Sequence, residues 1–399
     1  MPEPRPRGSA EKCRAGIGRV ILLHMNTDDI LRMRLRAQLV ESSSATSPCD
    51  VVSHLLAMQA QDYAGAVWAL GLRLPGSALA DVEAALTDGS IVRSWPMRGT
   101  LHFLAAEDVH WLLPLLTPRI LARAAKRERD LELDEPTFER ARGLFRAALT
   151  GNRRLTRPDA MALLEAGGIA TTGQRGYHIL WRLAQEGLLV VGPMEAKQQT
   201  FRLLAEWVPA ENSLLSPEAP RGQALALLAA RYFAGHGPAT VADLARWCDI
   251  PKREAEAALA SVEDGLVSAE HDGERYWFAP EIAKASGARA KRGSRACGRT
   301  PSVHLIPGFD EYMLGYVGRS HQLGEHLEQY GSRVASNGML AATVVIDGQA
   351  VGVWRRTLKP QTVSFEVSAF RELYATELAG VAAEQQRYAR FVGREVAPS

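Results

Sequence analysis

The sequence has little cysteine and no long apolar run. Four cysteines, Cys13, Cys49, Cys248 and Cys297, are spread over 399 residues, and no two of them form a C-x-x-C pair. This spacing argues against a disulfide-stapled fold and against a cysteine-based zinc site, and it fits a reducing compartment. The apolar run at 17–23 is too short for a membrane span or a signal peptide. We therefore expect a cytoplasmic protein with no membrane partner.

An excess of charge of one sign is also missing. The formal net charge is +2, with 47 Lys and Arg against 45 Asp and Glu, so nucleic-acid binding must be judged from where the cations lie. The sequence contains no Walker phosphate loop, dinucleotide fingerprint, H-E-x-x-H motif or G-x-S-x-G motif. These absences disfavour the nucleotide, zinc and serine chemistries that such motifs carry. We expect no metal and no organic cofactor.

A pattern of short helices followed by two strands occurs three times. Apolar periodicity and capping residues predict the helices, and turn residues between β-prone runs predict the strand pairs. In the third copy Thr240 caps a helix, and Asp272-Gly273 separates the strand-like runs 266–269 and 276–278. Helix-turn-helix followed by a hairpin is the winged-helix pattern. The predicted fold is mostly α with small β-hairpins (α+β), with three tandem winged-helix units and a C-terminal α/β part.

Composition sets the predicted boundaries. Residues 1–26, rich in Pro, Gly and basic side chains, are predicted to be disordered. The other predicted parts are winged helices at 27–118, 119–209 and 221–280, a basic linker at 281–302, and a β-rich part with a terminal helix at 303–399. The linker includes Lys291, Arg292 and Arg295 and has no acidic residue between 284 and 301. We expect these cations to follow a phosphate backbone, and a solvated loop is the alternative.

Cations and an aromatic residue are interleaved on the first predicted hairpin. They are Arg93, Trp95, Arg98 and His102. A hairpin of this composition suits contacts with a DNA groove or backbone. For Trp95 alone we favour core packing, and plain surface charge is the alternative for the two arginines. The pattern favours DNA binding over a protein-interaction module, which is the other common use of such folds.

The segment 58–63, Met-Gln-Ala-Gln-Asp-Tyr, is the second candidate site. An apolar run precedes it and would draw the amides of Gln59 and Gln61 toward the core, where they need hydrogen-bond partners. Residues i and i+2 lie on different faces of a helix, so the two amides converge only if the backbone leaves the helix. Ala64-Gly65 just downstream permits that exit. The alternative is a pair of polar residues at a helix end.

Four stretches together resemble the AlkZ-like/YcaQ-like winged-helix DNA glycosylases. They are Gln59-Ala60-Gln61, 95–102 (WPMRGTLH), 307–316 (PGFDEYMLGY) and 347–355 (DGQAVGVWR). The resemblance implies three winged helices and a small β-rich part that form a C-shaped body with a DNA channel. It matches Gln59 and Gln61 to the family's catalytic Gln-aliphatic-Gln motif, with Ala60 as a small middle residue.

The activity implied by the resemblance is monofunctional hydrolysis of the N-glycosidic bond of N7-alkylated purines. A cationic N7-alkylguanine needs no acid on the leaving group, so oriented amide oxygens can place a water and stabilise an oxocarbenium-like sugar. The family's range also implies interstrand crosslinks or self-resistance to a DNA-alkylating natural product, without full flipping of the base. The expected partner is double-stranded DNA with alkylated purines, bound by a monomer that is nucleoid-associated in a bacterium.

Further DNA contacts are predicted at Arg175, at Arg355 and in the segment 307–316. In that segment Tyr312 and Tyr316 are either groove probes or core residues. The neighbouring acids Asp310 and Glu311 would repel phosphate, so we expect a structural role for them.

Two other functions remain open on the sequence. One is a non-catalytic winged-helix regulator, which would usually dimerise and read a palindrome. The other is a protein-interaction scaffold, for which salt-dependent DNA binding would be absent.

Overall fold

The computed structural model describes residues 23–287, 300–333 and 340–398. Its helices are α1 (Thr27–Ala37), α2 (Pro48–Leu55), α3 (Tyr63–Arg73), α4 (Leu79–Asp88), α5 (Ala106–Asp130), α6 (Glu135–Leu149), α7 (Arg157–Ala166), α8 (Arg175–Gln185), α9 (Leu204–Trp207), α10 (Arg221–His236), α11 (Val241–Cys248), α12 (Lys252–Ala260), α13 (Pro280–Gly287), α14 (Glu311–Leu314), α15 (Ser320–Leu323), α16 (Leu327–Arg333) and α17 (Ala375–Phe391). In these ranges no helix has the length and apolar content needed to cross a lipid bilayer.

Strands alternate with the helices along the chain, which confirms the mixed α+β fold. The strands are β1 (Leu23–His24), β2 (Met58–Gln59), β3 (Ile91–Met97), β4 (Thr100–Ala105), β5 (Leu155–Thr156), β6 (Leu189–Glu195), β7 (Gln198–Leu203), β8 (Val267–His271), β9 (Glu274–Phe278), β10 (Val303–Ile306), β11 (Thr343–Ile346), β12 (Gln349–Leu358), β13 (Thr362–Ala369) and β14 (Glu395–Val396).

Local capping accounts for several helix starts. The side chains of Thr156 and Thr240 accept the backbone N–H of the third helical residue in α7 and α11, as the sequence predicted. Ser47 does the same for α2. Each cap satisfies one of the backbone donors that a helix leaves free at its first turn.

Three sheets organise the strands. The hairpins β3–β4 and β6–β7 join edge to edge through Arg93 and Val191, and the six-stranded order is β2-β4-β3-β6-β7-β5. The hairpin β8–β9 pairs with β1, and β10 to β14 form a five-stranded sheet in chain order. The first two predicted units therefore share one sheet.

Three predicted boundaries differ from the structure. Helix α5 runs through the boundary between 118 and 119, and Pro114 and Pro118 lie inside it. At the N-terminus, β1 pairs with β8 and Asn26 caps α1, so residues 23–26 are ordered and not part of a disordered extension. The predicted linker begins within α13. Residues 1–22 and 288–299 lie outside the described ranges.

The hydrophobic cores also cross the predicted units. Trp68 of the first unit packs its ring against Tyr388 and Phe391 of α17, at centroid distances of 4.9 and 5.4 Å. Trp95, 2% exposed, lies in the core of the second unit, which confirms core packing for this residue. The first unit is therefore packed between the second unit and the C-terminal part.

Candidate active site

Gln59 and Gln61 lie on the segment between α2 and α3. The backbone leaves α2 at Leu56, whose φ of 70° is left-handed, and Gln59 then pairs with His102 of β4. The predicted departure from the helix is confirmed. It occurs upstream of both glutamines, however, because Ala64-Gly65 belongs to α3.

The two amide oxygens are held by backbone donors. Gln61 N–H donates to Oε1 of Gln59 over 3.2 Å, and Leu101 N–H donates to Oε1 of Gln61 over 3.2 Å. Gln59 is 8% exposed, whereas Gln61 is exposed. A carbonyl oxygen accepts two hydrogen bonds, so each amide oxygen can still accept one from a water.

Arg93 holds the backbone between the glutamines. Its Nη2 and Nε donate to the carbonyl oxygen of Ala60 over 2.6 and 3.0 Å. Arg93 is 4% exposed, and burial lowers its pKa to about 10. The predicted DNA contact at Arg93 is wrong, because its buried guanidinium binds the Gln59–Gln61 backbone.

Glu311 of α14 connects this segment to the third unit. Its Oε1 accepts the backbone N–H of Gln59 over 3.0 Å, and its Oε2 accepts Nε1–H of Trp247 over 2.7 Å. Nε2 of His236 lies 3.4 Å from Oε2. The carboxylate therefore lies where the first unit, the third unit and the C-terminal part meet.

Glu311 is an anion although it is only 1% exposed. Burial raises its pKa, but the imidazole of His236, 3.4 Å away, and the positive charge of Arg98 outweigh burial and hold the pKa at about 2. Its neighbour Asp310 accepts hydrogen bonds from Nη1 and Nη2 of Arg73 over 2.7 and 2.8 Å. Both side chains are fully buried. The structural role predicted for the two acids is confirmed.

Two more predicted DNA contacts are buried. His102 has no exposed surface, with Nδ1 2.8 Å from the carbonyl oxygen of Thr100, and burial lowers its pKa to about 3. Tyr312 is also fully buried, and its hydroxyl donates to the carbonyl oxygen of Gly348 over 2.6 Å. Both predictions are wrong because neither side chain reaches the surface. Tyr316, 2% exposed, is a core residue as well.

Arg175 is half-buried at the start of α8. Its guanidinium donates to the backbone carbonyls of Leu131, Glu132 and Ala170, just beyond the end of α5 and before α8. These bonds tie α5 to α8, so Arg175 has a structural function that the sequence did not indicate. Lys291, Arg292 and Arg295 lie outside the described residues.

Two open cavities flank the Gln59–Gln61 segment. The Arg355 cavity, about 400 Å³, adjoins Gln61 through Asp62 and is also lined by Gly308, Phe309, Arg355 and Arg356. The Arg98 cavity, about 540 Å³, is lined by Arg98, Gly99, Arg123, Trp181, Arg246 and Asp249. Arg355 is exposed and Arg98 partly so. Of the predicted DNA contacts in the described ranges, these two face open cavities.

The sequence did not indicate Glu311 as a partner of Gln59, or Arg246 as a residue that lines the Arg98 cavity. The two ends of the Gln59–Glu311 bond are 252 residues apart in the chain. Arg246 is one of the polar residues of α11, and such residues are typical of the solvent-exposed face of a helix. Only the Trp247 position next to it, an aromatic on a short capped helix, could have drawn attention to this end of α11.

Comparisons with known proteins identify the family of this chain. The family model for DNA glycosylase AlkZ-like proteins matches residues 52–391, which include both glutamines. An interstrand DNA cross-link repair glycosylase of Streptomyces sahachiroi is 26% identical over 340 residues, covering 82% of this chain and 86% of that protein. The solved structure of Streptomyces sahachiroi DNA glycosylase AlkZ has a TM-score of 0.71 at 25% identity, covering 94% of this chain and 100% of that one. The chain therefore belongs to the AlkZ-like family of DNA glycosylases.

Proposed function

We propose that this DNA glycosylase hydrolyses the N-glycosidic bond of N7-alkylated purines in duplex DNA, with Gln59 and Gln61 as the catalytic pair. The observation that carries the proposal is the paired fixation of the two amide oxygens by backbone N–H groups, at 3.2 Å each. Fixed dipoles of this kind need no reorganisation during the reaction. Asp62, the residue after Gln61, lines the Arg355 cavity, where a lesion has room.

The chemistry follows from the charge of the lesion. The ring of an N7-alkylated purine is cationic, so the base leaves as a neutral molecule and takes the electron pair of the glycosidic bond. A water held by the amide oxygens forms the new bond to C1′ and releases its proton to solvent. Glutamine does not act as a general base, so the rate comes from water placement and from dipoles facing the oxocarbenium-like sugar.

We base the proposed range of lesions on a relative. The Streptomyces sahachiroi protein is an interstrand DNA cross-link repair glycosylase. We extend this substrate class to the present chain, as unhooking of crosslinks or as self-resistance to a DNA-alkylating natural product. A cavity of about 400 Å³ supports this extension, because it lies in the size range of sites that hold drug-sized ligands.

We interpret the three helix-plus-hairpin units as winged helices that surround DNA as a C-shaped monomer. Support comes from the hairpins β3–β4, β6–β7 and β8–β9, each of which follows a group of helices. Three such units in one chain can enclose a duplex without a second copy. Light scattering of the free protein, and of the protein with a short duplex, measures the stoichiometry.

The test is base release from a duplex with one N7-methylguanine. The wild type is compared with a Gln59→Ala/Gln61→Ala variant. Gln386→Ala is the matched control, because Gln386 is an exposed residue on α17 where alanine suits the helix. We expect release by the wild type and by the control, and loss of release in the double variant, with DNA binding retained in all three.

Equal release by the wild type and the double variant would assign the two glutamines a structural role. Release by none of the proteins from methylated DNA, followed by release from crosslinked DNA, would narrow the substrate to bulky lesions. Binding of one preferred duplex sequence by a dimer, without any release, would instead favour a regulator.

A further inference from the structure

The Arg98 cavity lies where the three helix-plus-hairpin units meet. Arg98 and Gly99 form the turn between β3 and β4, with left-handed φ values of 53° and 70°. This turn faces Arg123 of α5, Trp181 of α8, and Arg246 of α11. Elements from all three units therefore contribute one wall each.

The lining of this cavity carries an excess of positive charge. Three arginines face one acid, Asp249, and this acid forms an ion pair with Arg123. Arg246 is exposed, and in the described part of the chain no carboxylate lies within ion-pair distance of it. Arg246 thus has no carboxylate opposite it, and the carboxylate that acts on Arg98 is the buried Glu311, which does not line the cavity.

The two remaining guanidinium groups repel each other. Burial lowers the pKa of Arg98, the negative charge of the buried Glu311 opposes this, and the positive charge of Arg246 adds to the lowering. Arg98 cannot turn away, because its Nη1 donates to the carbonyl oxygen of Trp247 over 2.7 Å and its Nη2 lies 3.2 Å from Nε2 of His102. Like charges held at an open cavity are relieved by a bound anion.

The same cavity adjoins the catalytic segment. Gly99 lies two residues before Leu101, whose N–H donates to Oε1 of Gln61. His102, which contacts Arg98, pairs with Gln59 in the sheet. An anion bound at Arg98 is therefore separated from both glutamines by one strand.

We propose that the Arg98 cavity binds a backbone phosphate of duplex DNA through Arg98 and Arg246. The planar guanidinium group presents paired N–H donors that match phosphate oxygens. Trp181 is only 8% exposed, so the cavity offers little ring surface for stacking a base. The proposal rests on the proposed function, because it places the duplex across the Gln59–Gln61 segment.

A variant at Asp249 provides a second test, in which DNA affinity is expected to rise. The carboxylate of Asp249 is the acid in the cavity lining, so it repels a phosphate there and lowers affinity for DNA. Asp249 follows α11 with a left-handed φ of 59°, a conformation that asparagine tolerates as well as aspartate does. Asp249→Asn therefore removes the charge without a backbone penalty.

The experiment measures the affinity for an undamaged duplex as a function of salt. Arg246→Gln is compared with Arg140→Gln, which removes the same charge from an exposed position on α6. Loss of one phosphate contact lowers the slope of log K against log salt by about one and weakens binding roughly five- to tenfold. We expect this in Arg246→Gln and not in Arg140→Gln, and we expect Asp249→Asn to tighten binding.

An unchanged slope in Arg246→Gln, or weaker binding by Asp249→Asn, would overturn the proposal. Base release from N7-methylguanine is measured separately in the same variants. If the phosphate site fails while release continues, the proposed function stands. If release is absent while the slope changes as expected, the chain binds duplex DNA at this cavity, but N7-methylguanine is not its substrate.

Discussion

The backbone N–H of Gln59 donates to Oε1 of Glu311 over 3.0 Å, although the two residues are 252 positions apart in the chain. The second oxygen of the same carboxylate accepts the indole N–H of Trp247. The position of the glutamine segment is therefore set by the third unit and by the C-terminal part together, and not by the first unit alone.

Glu311→Gln tests this connection. The variant keeps the shape of the side chain, but its NH₂ group faces one of the two donors, the backbone N–H of Gln59 or the indole N–H of Trp247. We expect the free energy of unfolding to fall by about 1–3 kcal/mol, because a buried donor loses its acceptor. The single-turnover rate of base release should fall by up to about 100-fold, because a small shift of the glutamines misplaces the water.

The matched control is Glu256→Gln, an exposed position on α12. It should leave the rate unchanged, and loss of its exposed ion pair with Lys252 should change stability by less than about 0.5 kcal/mol. Glu311→Asp retains the charge on a shorter side chain. We expect it to recover part of the rate of base release that Glu311→Gln loses. A wild-type rate in Glu311→Gln, with reduced stability, would mean that Glu311 stabilises the fold without positioning Gln59.

Arg93→Lys separates a positioning role from a DNA contact. Lysine keeps the charge but cannot make the two hydrogen bonds from Nη2 and Nε to the Ala60 carbonyl. We expect slower base release with an unchanged salt dependence of DNA binding. In contrast, Arg355→Gln at the exposed cavity should lower the salt slope by about one. Because lysine would also neutralise a phosphate, the salt slope is measured in Arg93→Gln as well, and a slope lowered by about one there would reinstate the DNA contact at Arg93.

Two buried histidines predict a loss of stability in mild acid. Burial lowers the pKa of His102 to about 3 and that of His304 to about 4, from an ordinary value of 6.5. Below pH 6.5 the unfolded chain binds protons that the folded chain does not. Each histidine therefore removes up to ~1.4 kcal/mol of stability per pH unit, from 6.5 down toward its folded pKa.

Urea unfolding at pH 7.5 and at pH 5.5 measures this loss. In His304→Gln the amide can still contact Ser302, whose Oγ lies 2.7 Å from Nε2 of His304 in the wild type. We expect the variant to lose less stability than the wild type between the two pH values. The same loss in both proteins would show that His304 titrates normally in the folded state.

Gly348 lies in the tight turn between β11 and β12, with a φ of 91°, and an added Cβ would meet the Cβ of Leu31 at 2.6 Å. Gly273 has a φ of 77° but no neighbour within 4 Å of an added Cβ. Gly273→Ala should cost about 1 kcal/mol from backbone strain alone. Gly348→Ala should cost about 2–4 kcal/mol, because the clash adds to the strain.

Chemical denaturation measures both losses, with Gly222→Ala in the first turn of α10 as a control that meets no atom within 4 Å. The control should be neutral or slightly stabilising. Equal losses at the two turn glycines would mean that α1 shifts enough to accommodate the methyl group.

The sequence by itself determined the features that depend on near neighbours. The caps at Thr156 and Thr240 and the Asp272-Gly273 and Asp347-Gly348 turns followed from short-range signals. The departure of Gln59 and Gln61 from a helix was expected at Ala64-Gly65, but the chain leaves α2 at Leu56. A few adjacent residues determine a cap or a tight turn, so both can be predicted from the sequence.

Only the tertiary structure decided which cations remain free for DNA. Arg93, Arg98 and His102 lie on one hairpin, yet Arg93 binds Ala60, His102 is fully buried, and only Arg98 lines an open cavity. Strand alternation could not separate them, because every residue of β3 is buried, on both faces of the strand. Burial of a side chain depends on elements distant in sequence, and so does the charge that it presents to a ligand.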